Sequence, residues 1–317
     1  MKLRACIIAL IAVAIALPAH AADKVRVAKA VGSQFVYAPL DVGIAQGIFA
    51  KYGIAVEIST MTGEARLQQG LTAGSLDVGL AGNSGAALSV KGAPTIAVAA
   101  YANAPRNFSV VVLADSPIKT VADLKGKLLS GATTGGLPEW LVKRLGVVEG
   151  WGADGVRSIS VGSPDASLSA LRTRQVDGMM TATATGILLE DQGIGRIVTQ
   201  MGDFAANFHT SLVFVRKDFV AQSPDTLRGF LKGLFASVAF VKANKDKTVA
   251  IAAPVLHLSP AIVSRVYDIE SPILSDDGHF DAAAVDALKQ SLVDMGALTE
   301  KPRDEQIIDT RFVPVKF

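Results

Sequence analysis

The sequence is nearly without cysteine. Its one cysteine, Cys6, lies in an N-terminal segment where Lys2 and Arg4 precede an apolar run that ends before Ala19-His20-Ala21. This pattern predicts a secretory signal peptide over residues 1–21, cleaved after Ala21. The exported chain then has no thiol, which excludes disulfides and cysteine-metal sites.

An excess of charge of either sign is also missing. The chain has 31 basic and 29 acidic residues, and removal of Lys2 and Arg4 with the signal peptide leaves 29 of each. A neutral protein without a basic block is a poor binder of nucleic acid and of anionic membranes. No later apolar stretch is long enough to cross a bilayer. We therefore expect an exported protein that does not bind nucleic acid.

The stretch over residues 71–86 carries the clearest local pattern. Residues 76–81 are predicted to form a short buried strand, and Gly82, Asn83 and Ser84 then open the next helix. Asn83 or Ser84 can cap that helix, and its first N–H groups can meet an anion or a ligand carbonyl. A strand that ends in such a turn is typical of a binding edge.

A similar pattern recurs one hundred positions later. The matching residues are Val56, Leu71, Leu76 and Asp77 in the first copy, and Val156, Leu171, Val176 and Asp177 in the second. The repeat predicts two similar α/β lobes whose strand-end loops face each other across a cleft, because open sheets bind ligands beyond the carboxyl ends of their strands. Chance agreement between two ordinary helix-turn-strand units is the alternative.

The order of predicted elements supports this interpretation. A β-α-β-α-β alternation fills residues 25–81, which argues for parallel or mixed sheets flanked by helices. The apolar strand over residues 109–113 is predicted to leave the first lobe, and residues 211–215 to return to it. Pro138 suits the first turn of a helix, and Gly146 is placed to end it. We expect lobe 1 over residues 22–108 and 210–317, and lobe 2 over 109–209.

Four segments together resemble a known family. They are residues 39–49 (PLDVGIAQGIF), 52–57 (YGIAVE), 74–79 (GSLDVG) and 123–127 (DLKGK). In order and spacing they resemble periplasmic substrate-binding proteins of the nitrate, sulfonate and taurine type, which are related to binding proteins for thiamine-pyrimidine precursors. The resemblance implies a two-lobed type II periplasmic-binding-protein fold with two crossing hinge strands, which closes on a small molecule.

The resemblance also implies how the protein works. A monomer in the periplasm, without cofactor or metal, would capture its ligand and present it to the ABC permease in the inner membrane. The implied ligand-binding residues are Gln34, Phe35, Asn83, Ser84, Thr133, Thr134 and Gly135, with Thr181 and Thr183 after the second-lobe strand. Hydroxyls, amides and helix-start N–H groups suit an anionic or polar organic ligand such as a sulfonate or carboxylate.

One departure from the family's pattern bears on ligand charge. Many relatives have an acidic or tryptophan-proline element after the strand at residues 176–180, where this chain has Thr181 and Thr183. A cationic or amine-bearing ligand thereby loses an anchor. Each residue also has a structural alternative: Asn83 and Ser84 as helix caps, Thr133 and Thr134 as turn residues, and Phe35 as a core residue. Thr181 and Thr183 alternate along a strand, so one of them faces the cleft.

Other functions remain as alternatives. The Gly82–Gly85 segment superficially suggests a nucleophilic serine, but G-x-S-x-G is absent and no histidine is placed to activate Ser84. An enzyme of thiamine-pyrimidine synthesis would need a cysteine-rich iron motif, which the exported chain lacks. We expect no enzyme activity. A ligand-sensing protein that binds a receptor differs from an importer component only in its partner.

Overall fold

The computed structural model describes residues 22–32, 34–131 and 136–317, so the predicted signal peptide lies outside the described residues. The strands within the described residues are β1 (Asp23–Lys29), β2 (Ile54–Thr60), β3 (Val78–Ala81), β4 (Thr95–Asn103), β5 (Phe108–Leu113), β6 (Leu128–Gly131), β7 (Arg157–Ser160), β8 (Gly178–Ala182), β9 (Gly195–Gln200) and β10 (His209–Arg216). They form two five-stranded sheets, in the orders β2-β1-β3-β10-β4 and β7-β6-β8-β5-β9.

Helices flank both sheets. They are α1 (Ala38–Ala45), α2 (Glu64–Thr72), α3 (Ser84–Val90), α4 (Leu137–Val148), α5 (Pro164–Arg172), α6 (Thr183–Asp191), α7 (Lys217–Gln222), α8 (Pro224–Ala243), α9 (Lys245–Leu256), α10 (Pro260–Glu270) and α11 (Ala282–Asp294). Within the described ranges no single helix is long and apolar enough to span a membrane, and only the pair Lys245–Leu256 and Pro260–Ile273, bent by 113°, meets the length and composition criteria together.

The two sheets follow one plan. In the first sheet β1 pairs in parallel with β2 and β3, and β10 lies antiparallel between β3 and β4. In the second sheet β6 pairs in parallel with β7 and β8, and β5 lies antiparallel between β8 and β9. The offset of one hundred residues holds in space, because α2 corresponds to α5 and β3 to β8. The predicted two-lobed α/β architecture is confirmed.

The chain passes between the sheets twice. Residues 104–107 connect β4 to β5, and residues 201–208 connect β9 to β10. One cluster of buried apolar side chains packs α8, α9 and α10 on one face of the first sheet. A second cluster runs from Leu67 on α2 through Phe208 in the second crossing segment to Trp140 on α4. The cores of the two sheets are therefore continuous through that segment.

The prediction that Gly146 ends its helix is wrong. Helix α4 continues through Gly146 to Val148. A Cβ at Gly146 would lie 2.5 Å from the carbonyl oxygen of Gly152, so this glycine permits close packing of the helix on the following turn. Glycine at this position therefore serves a close backbone approach and not a helix end.

An aspartate joins the strands of each sheet in the same way. The Asp77 N–H donates to the Arg26 carbonyl, and the Asp77 carboxylate accepts from the Arg26 N–H at 2.9 Å. The Asp177 N–H likewise donates to the Leu128 carbonyl, and its Oδ2 accepts from the Leu128 N–H at 2.8 Å. These two residues are one of the four matches in the sequence repeat, so the repeat preserves a strand-joining contact.

The first aspartate has a further role. Its buried carboxylate accepts from the Arg26 guanidinium at 2.7 and 3.0 Å and from the Arg216 guanidinium at 3.1 Å. Burial opposes the charged form of Asp77, but the hydrogen bonds from Arg26 outweigh it and lower the pKa of Asp77. β1, β3 and β10 are thereby held by one charged group.

We predict that Asp77→Asn lowers the free energy of unfolding by about 3 kcal/mol, because two arginines lose their common partner in a largely buried position. Asp177→Asn is the matched control, with an expected loss of about 1 kcal/mol or less, since its carboxylate is exposed and an amide oxygen still accepts from Leu128. Urea unfolding at pH 7 measures both. The difference between wild type and Asp77→Asn should diminish as the pH falls below about 4, through the lowered pKa of Asp77. Equal losses in both variants would contradict this account.

A second acidic group is buried without a cation. Glu270 ends α10 with 1% of its surface exposed, and its carboxyl group accepts a hydrogen bond from the Val36 N–H. Its Oε2 has no hydrogen-bond partner among the described residues. Burial raises the pKa of Glu270 to about 8, against the hydrogen bond from Val36, which lowers it. At neutral pH this carboxyl group is therefore mostly protonated.

We predict that Glu270 makes the protein less stable as the pH rises from about 4.5 to 8, because the unfolded chain releases a proton that the folded chain retains. Glu270→Gln keeps the shape and removes this dependence. The stability of the variant relative to wild type should increase on the order of 3 kcal/mol between pH 4.5 and 7. Parallel profiles of unfolding free energy against pH for the two proteins would show that Glu270 does not titrate in this way.

Candidate functional site

The candidate site lies where the carboxyl ends of the parallel strands of both sheets meet. In the first sheet, β1, β3 and β4 end at this edge and the antiparallel β10 begins there. In the second sheet, β6 and β8 end at the corresponding edge and β5 begins there. Both crossing segments join these edges, so the loops after the strands border one crevice. This is the place where open α/β sheets bind ligands.

The first loop places one polar side chain at the crevice and two aromatic side chains in the core. Gln34 is half-buried, and the 3-10 turn Phe35–Tyr37 follows it. Phe35 is fully buried and meets the Tyr267 ring edge-on at 5.9 Å between centroids. Tyr37 is buried and stacks on Tyr101 at 6.4 Å. The structural alternative for Phe35, a core residue, agrees with this packing, and its role in ligand binding stays a prediction.

Asn83 is held by the C-terminal part of the chain. Its side chain is 1% exposed, and its Nδ2 donates to the Ser291 hydroxyl of α11 at 3.0 Å. Asn83 occupies the N-cap position of α3, but its side chain makes no capping hydrogen bond. The residue therefore anchors α11 to the loop after β3.

The carboxylate of Glu64 caps α3 from a different helix. Its Oε1 accepts from the Gly82 N–H at 3.0 Å, and its Oε2 accepts from the Ser84 N–H at 3.3 Å and from the Ser84 hydroxyl. Two N–H groups of the loop after β3, those of Gly82 and Ser84, are thus bound by Glu64 and not free for a ligand. A side chain at position 82 would displace the Glu64 carboxylate, because a Cβ there would lie 2.3 Å from Glu64 Oε1. The sequence shows Glu64 only as an acidic residue in the first turn of α2, which gives no sign of this distant contact.

The prediction that Thr181 and Thr183 alternate along one strand is wrong, because β8 ends at Ala182 and Thr183 begins α6. Thr181 is 7% exposed on β8 and pairs with Ser109 of β5. Thr183 is fully buried at the start of α6; its hydroxyl donates to the Arg106 carbonyl at 2.8 Å and lies 2.6 Å from the Ser109 hydroxyl. The Thr183 N–H donates to the Asn107 carbonyl. Thr183 therefore fixes the first crossing segment, whereas Thr181 lies at the end of its strand.

The glycine-rich loop of the second lobe connects β6 to α4. Its predicted ligand-binding residues Thr133, Thr134 and Gly135 lie outside the described residues. The flanking Gly131 ends β6 at the crevice, and Leu137 begins α4. The loop is therefore attached at the same edge as the other predicted contacts.

A neutral histidine lies where the second crossing segment enters the first sheet. His209 Nε2 accepts from the Asp281 N–H at 3.1 Å, so Nδ1 carries the proton and donates to Asn103 Oδ1 at 2.6 Å. Burial lowers the pKa of His209 to about 4, although the charge of Asp281 opposes this. The imidazole therefore joins the end of β4 to the start of β10 without a charge.

Helices α4 and α11 make a direct contact beside the second crossing segment. The Trp140 Nε1–H donates to Asp294 Oδ2 at 3.1 Å, and the indole stacks on Phe208 at 4.8 Å between centroids. Gln290 donates to the other oxygen of Asp294 at 2.7 Å. A cavity of about 520 Å³ lies between these helices and the crossing segment. The contact connects a helix of the second sheet with a helix anchored to the first, and sequence patterns gave no sign of it.

The crevice can bind a small molecule through polar side chains and backbone groups. Within residues 22–32, 34–131 and 136–317, no group of three or more histidine, cysteine, aspartate or glutamate side chains is placed to hold a metal ion. Its walls belong to two bodies joined by two short segments, an arrangement that permits hinge motion.

Comparison with known proteins agrees with this architecture. A curated relative from Brucella abortus, named as a candidate binding protein, is 26% identical over 219 residues, which are 68% of this chain and 66% of the relative. The chain thus spans just under two thirds of that relative. The periplasmic aliphatic sulphonate binding protein SsuA from Escherichia coli has 18% identity and a TM-score of 0.77, over 90% of this chain and 92% of that chain.

An enzyme shares the fold. The desulfurization enzyme DSZB has 15% identity and a TM-score of 0.67, over 92% of this chain and 97% of that chain. Both structural similarities are below a quarter identity, so they establish the fold alone. The family model described as NMT1/THI5 like matches residues 34–248, more than half of the sequence. The chain belongs to the NMT1/THI5-like family.

Proposed function

We propose that this protein is the periplasmic solute-binding component of an ABC importer. It captures a small polar organic molecule, with sulfonate-like and carboxylate compounds as candidate classes, in the cleft between two lobes. The observation that carries the proposal is that both crossing segments join the carboxyl-end edges of the two sheets. Closure about these segments encloses whatever the strand-end loops bind. Membership of the family and the fold shared with a sulphonate-binding protein support it.

The proposal includes the processing and partners of the chain. The signal peptide over residues 1–21 directs export and is removed after Ala21. Lobe 1 comprises residues 22–108 and 210–317, and lobe 2 comprises residues 109–209. The closed monomer then presents its ligand to a permease in the inner membrane. A receptor in place of the permease is the alternative, and a neighbouring pair of permease and ATPase genes would favour import.

Catalysis is the second candidate, because DSZB has the same fold. The side chains at the crevice argue for binding without turnover. Ser84 is hydrogen bonded to a carboxylate, and the histidine at this edge, His209, has both ring nitrogens engaged. A serine nucleophile needs a base with a free nitrogen within hydrogen-bond reach, and His209 offers none in this arrangement.

We predict that a thermal-shift screen of the chain from Ala22 finds a stabilising small molecule among sulfonates, nitrate, carboxylates, phosphonates, amines and pyrimidines. A ligand at one hundred times its dissociation constant adds about 2.7 kcal/mol to the unfolding free energy, which raises the melting temperature by several degrees. The protein is first unfolded and refolded to remove any copurified ligand. A refolded protein that no compound stabilises would contradict the proposal.

We predict that such a ligand changes the fluorescence of Trp140, because closure alters the contact between α4 and α11. The chain has two tryptophans. Trp151 follows α4 at the end remote from the crevice, and the helix rises roughly 12 Å from Trp140 to its last residue, Val148. Trp151→Phe should therefore retain the ligand-induced change, and Trp140→Phe should abolish it while keeping the aromatic packing on Phe208. A change that persists in Trp140→Phe would place the motion elsewhere.

A further inference from the structure

The half-buried carboxylate of Glu64, in the first turn of α2, lies against the loop after β3, which borders the crevice. Three donors of that loop point to this carboxylate: the N–H groups of Gly82 and Ser84 and the Ser84 hydroxyl. A carboxylate has about four acceptor positions, so one position and the full charge remain for another partner. An oxyanion would find these donors occupied. At about 4 Å from Glu64, near a protein surface, charge repulsion would weaken its binding about a thousandfold.

The neighbouring polar groups do not neutralise this charge. Tyr37 is buried, and its hydroxyl is hydrogen bonded with Ser211. Burial, and then the charge of Glu64, raise the pKa of Tyr37, which stays protonated and neutral. The charge of Glu64 thus affects the pKa of the Tyr37 hydroxyl. Because Tyr37, Ser211 and Ser84 are neutral, the four side chains together have a net charge of about −1.

The cations at this edge are engaged elsewhere or directed away. Lys29 Nζ, at the end of β1, donates to both oxygens of Asp41 at 2.9 and 3.2 Å, and both side chains are largely buried. His209 is neutral in the arrangement described above. Arg66 is exposed two residues after Glu64 on α2, and residues two apart on a helix do not share a face. The Glu64 carboxylate thus has no described cation as a partner.

We propose that Glu64 sets the ligand class of the cleft: the group that meets the loop after β3 is a hydrogen-bond donor, such as an ammonium, an amidinium or the amino group of a heterocycle. Sulfonates, carboxylates and other oxyanions are excluded from this position. The inference rests on the proposed solute-binding function, and at this position of the cleft it replaces the sulfonate-like and carboxylate classes named there with a hydrogen-bond donor. Glu64 supplies from the first lobe the acidic anchor that the second lobe lacks at Thr181 and Thr183.

The test compares benzamidine with benzenesulfonate, two probes that share a ring and carry opposite charges. Isothermal titration calorimetry measures both against wild type, Glu64→Ala and the control Glu57→Ala. Glu57 on β2 is half exposed and pairs with Lys24 on β1, so its removal changes the net charge by the same amount outside the crevice. Wild type and Glu57→Ala should bind benzamidine at least tenfold more tightly than benzenesulfonate. Glu64→Ala should reverse this order, because it frees three donors and removes the charge.

Glu64→Gln is the second variant, in case loss of the cap unfolds Glu64→Ala. It retains one acceptor for the loop, removes the charge and should reduce the preference for benzamidine at least tenfold. Preference of wild type for benzenesulfonate overturns the inference, as does a benzenesulfonate affinity that neither Glu64 variant increases. If wild type binds neither probe, benzenesulfonate binding by a Glu64 variant supports the inference, and its absence in both Glu64 variants overturns the inference.

The outcomes separate this inference from the proposed function. If wild type binds benzenesulfonate more tightly and the Trp140 fluorescence responds, the solute-binding function stands and the role of Glu64 does not. If the Glu64 variants gain benzenesulfonate while no compound in the wider screen stabilises wild type, the role of Glu64 stands and the solute-binding function does not.

Discussion

One antiparallel strand in each sheet determines the geometry of this protein. Because β10 runs opposite to β3 and β4, its first residue lies at the same edge as their last residues. The same holds for β5 beside β8 and β9. Each crossing segment therefore starts and ends at the edge of a sheet where the parallel strands have their carboxyl ends. For this reason both segments can be short. If either strand ran parallel to its neighbours, its connection would have to span the full height of a sheet.

The two copies of the repeat share their backbone contacts but differ in the charged side chains that surround those contacts. Asp77 and Asp177 make the same pair of backbone contacts in the two sheets. Only Asp77 also binds two arginines, and only the first helix after such a strand is capped by a distant glutamate, in the described part of the chain. Two edges with one backbone plan thus present different charges to the same crevice. Because the two edges differ in charge, a ligand with two different ends has a preferred orientation in the cleft.

Buried polar groups near the cleft are arranged to avoid unpaired charge. Lys29 and Asp41 neutralise each other, His209 stays neutral through two hydrogen bonds, and Glu270 keeps its proton. The ion pair compensates two buried charges, and the other two groups are buried in their uncharged forms, so no unpaired charge is removed from water. Against that background the half-buried charge of Glu64 is the exception, and its position beside the loop after β3 is a property of the cleft.

Much of the fold could be predicted from the sequence. Hydrophobic periodicity placed most strands and helices within a few residues but did not predict β9, and the repeat and family motifs indicated two α/β lobes. The site could be predicted only as far as its loops. Gly146 shows the limit for single residues, because a glycine can serve a helix end or a close contact and only the neighbour at Gly152 decides which.

The sequence by itself determined the class of fold, the two-lobed plan and the loops that border the cleft, because periodicity and repeats are properties of neighbouring residues along the chain. Only the tertiary structure decided what those loops offer to a ligand. The contact of Glu64 with Ser84, of Asn83 with Ser291 and of Trp140 with Asp294 joins residues that are 20, 208 and 154 positions apart. No local pattern encodes such pairs, since a carboxylate selects its donors by distance and direction in the folded protein.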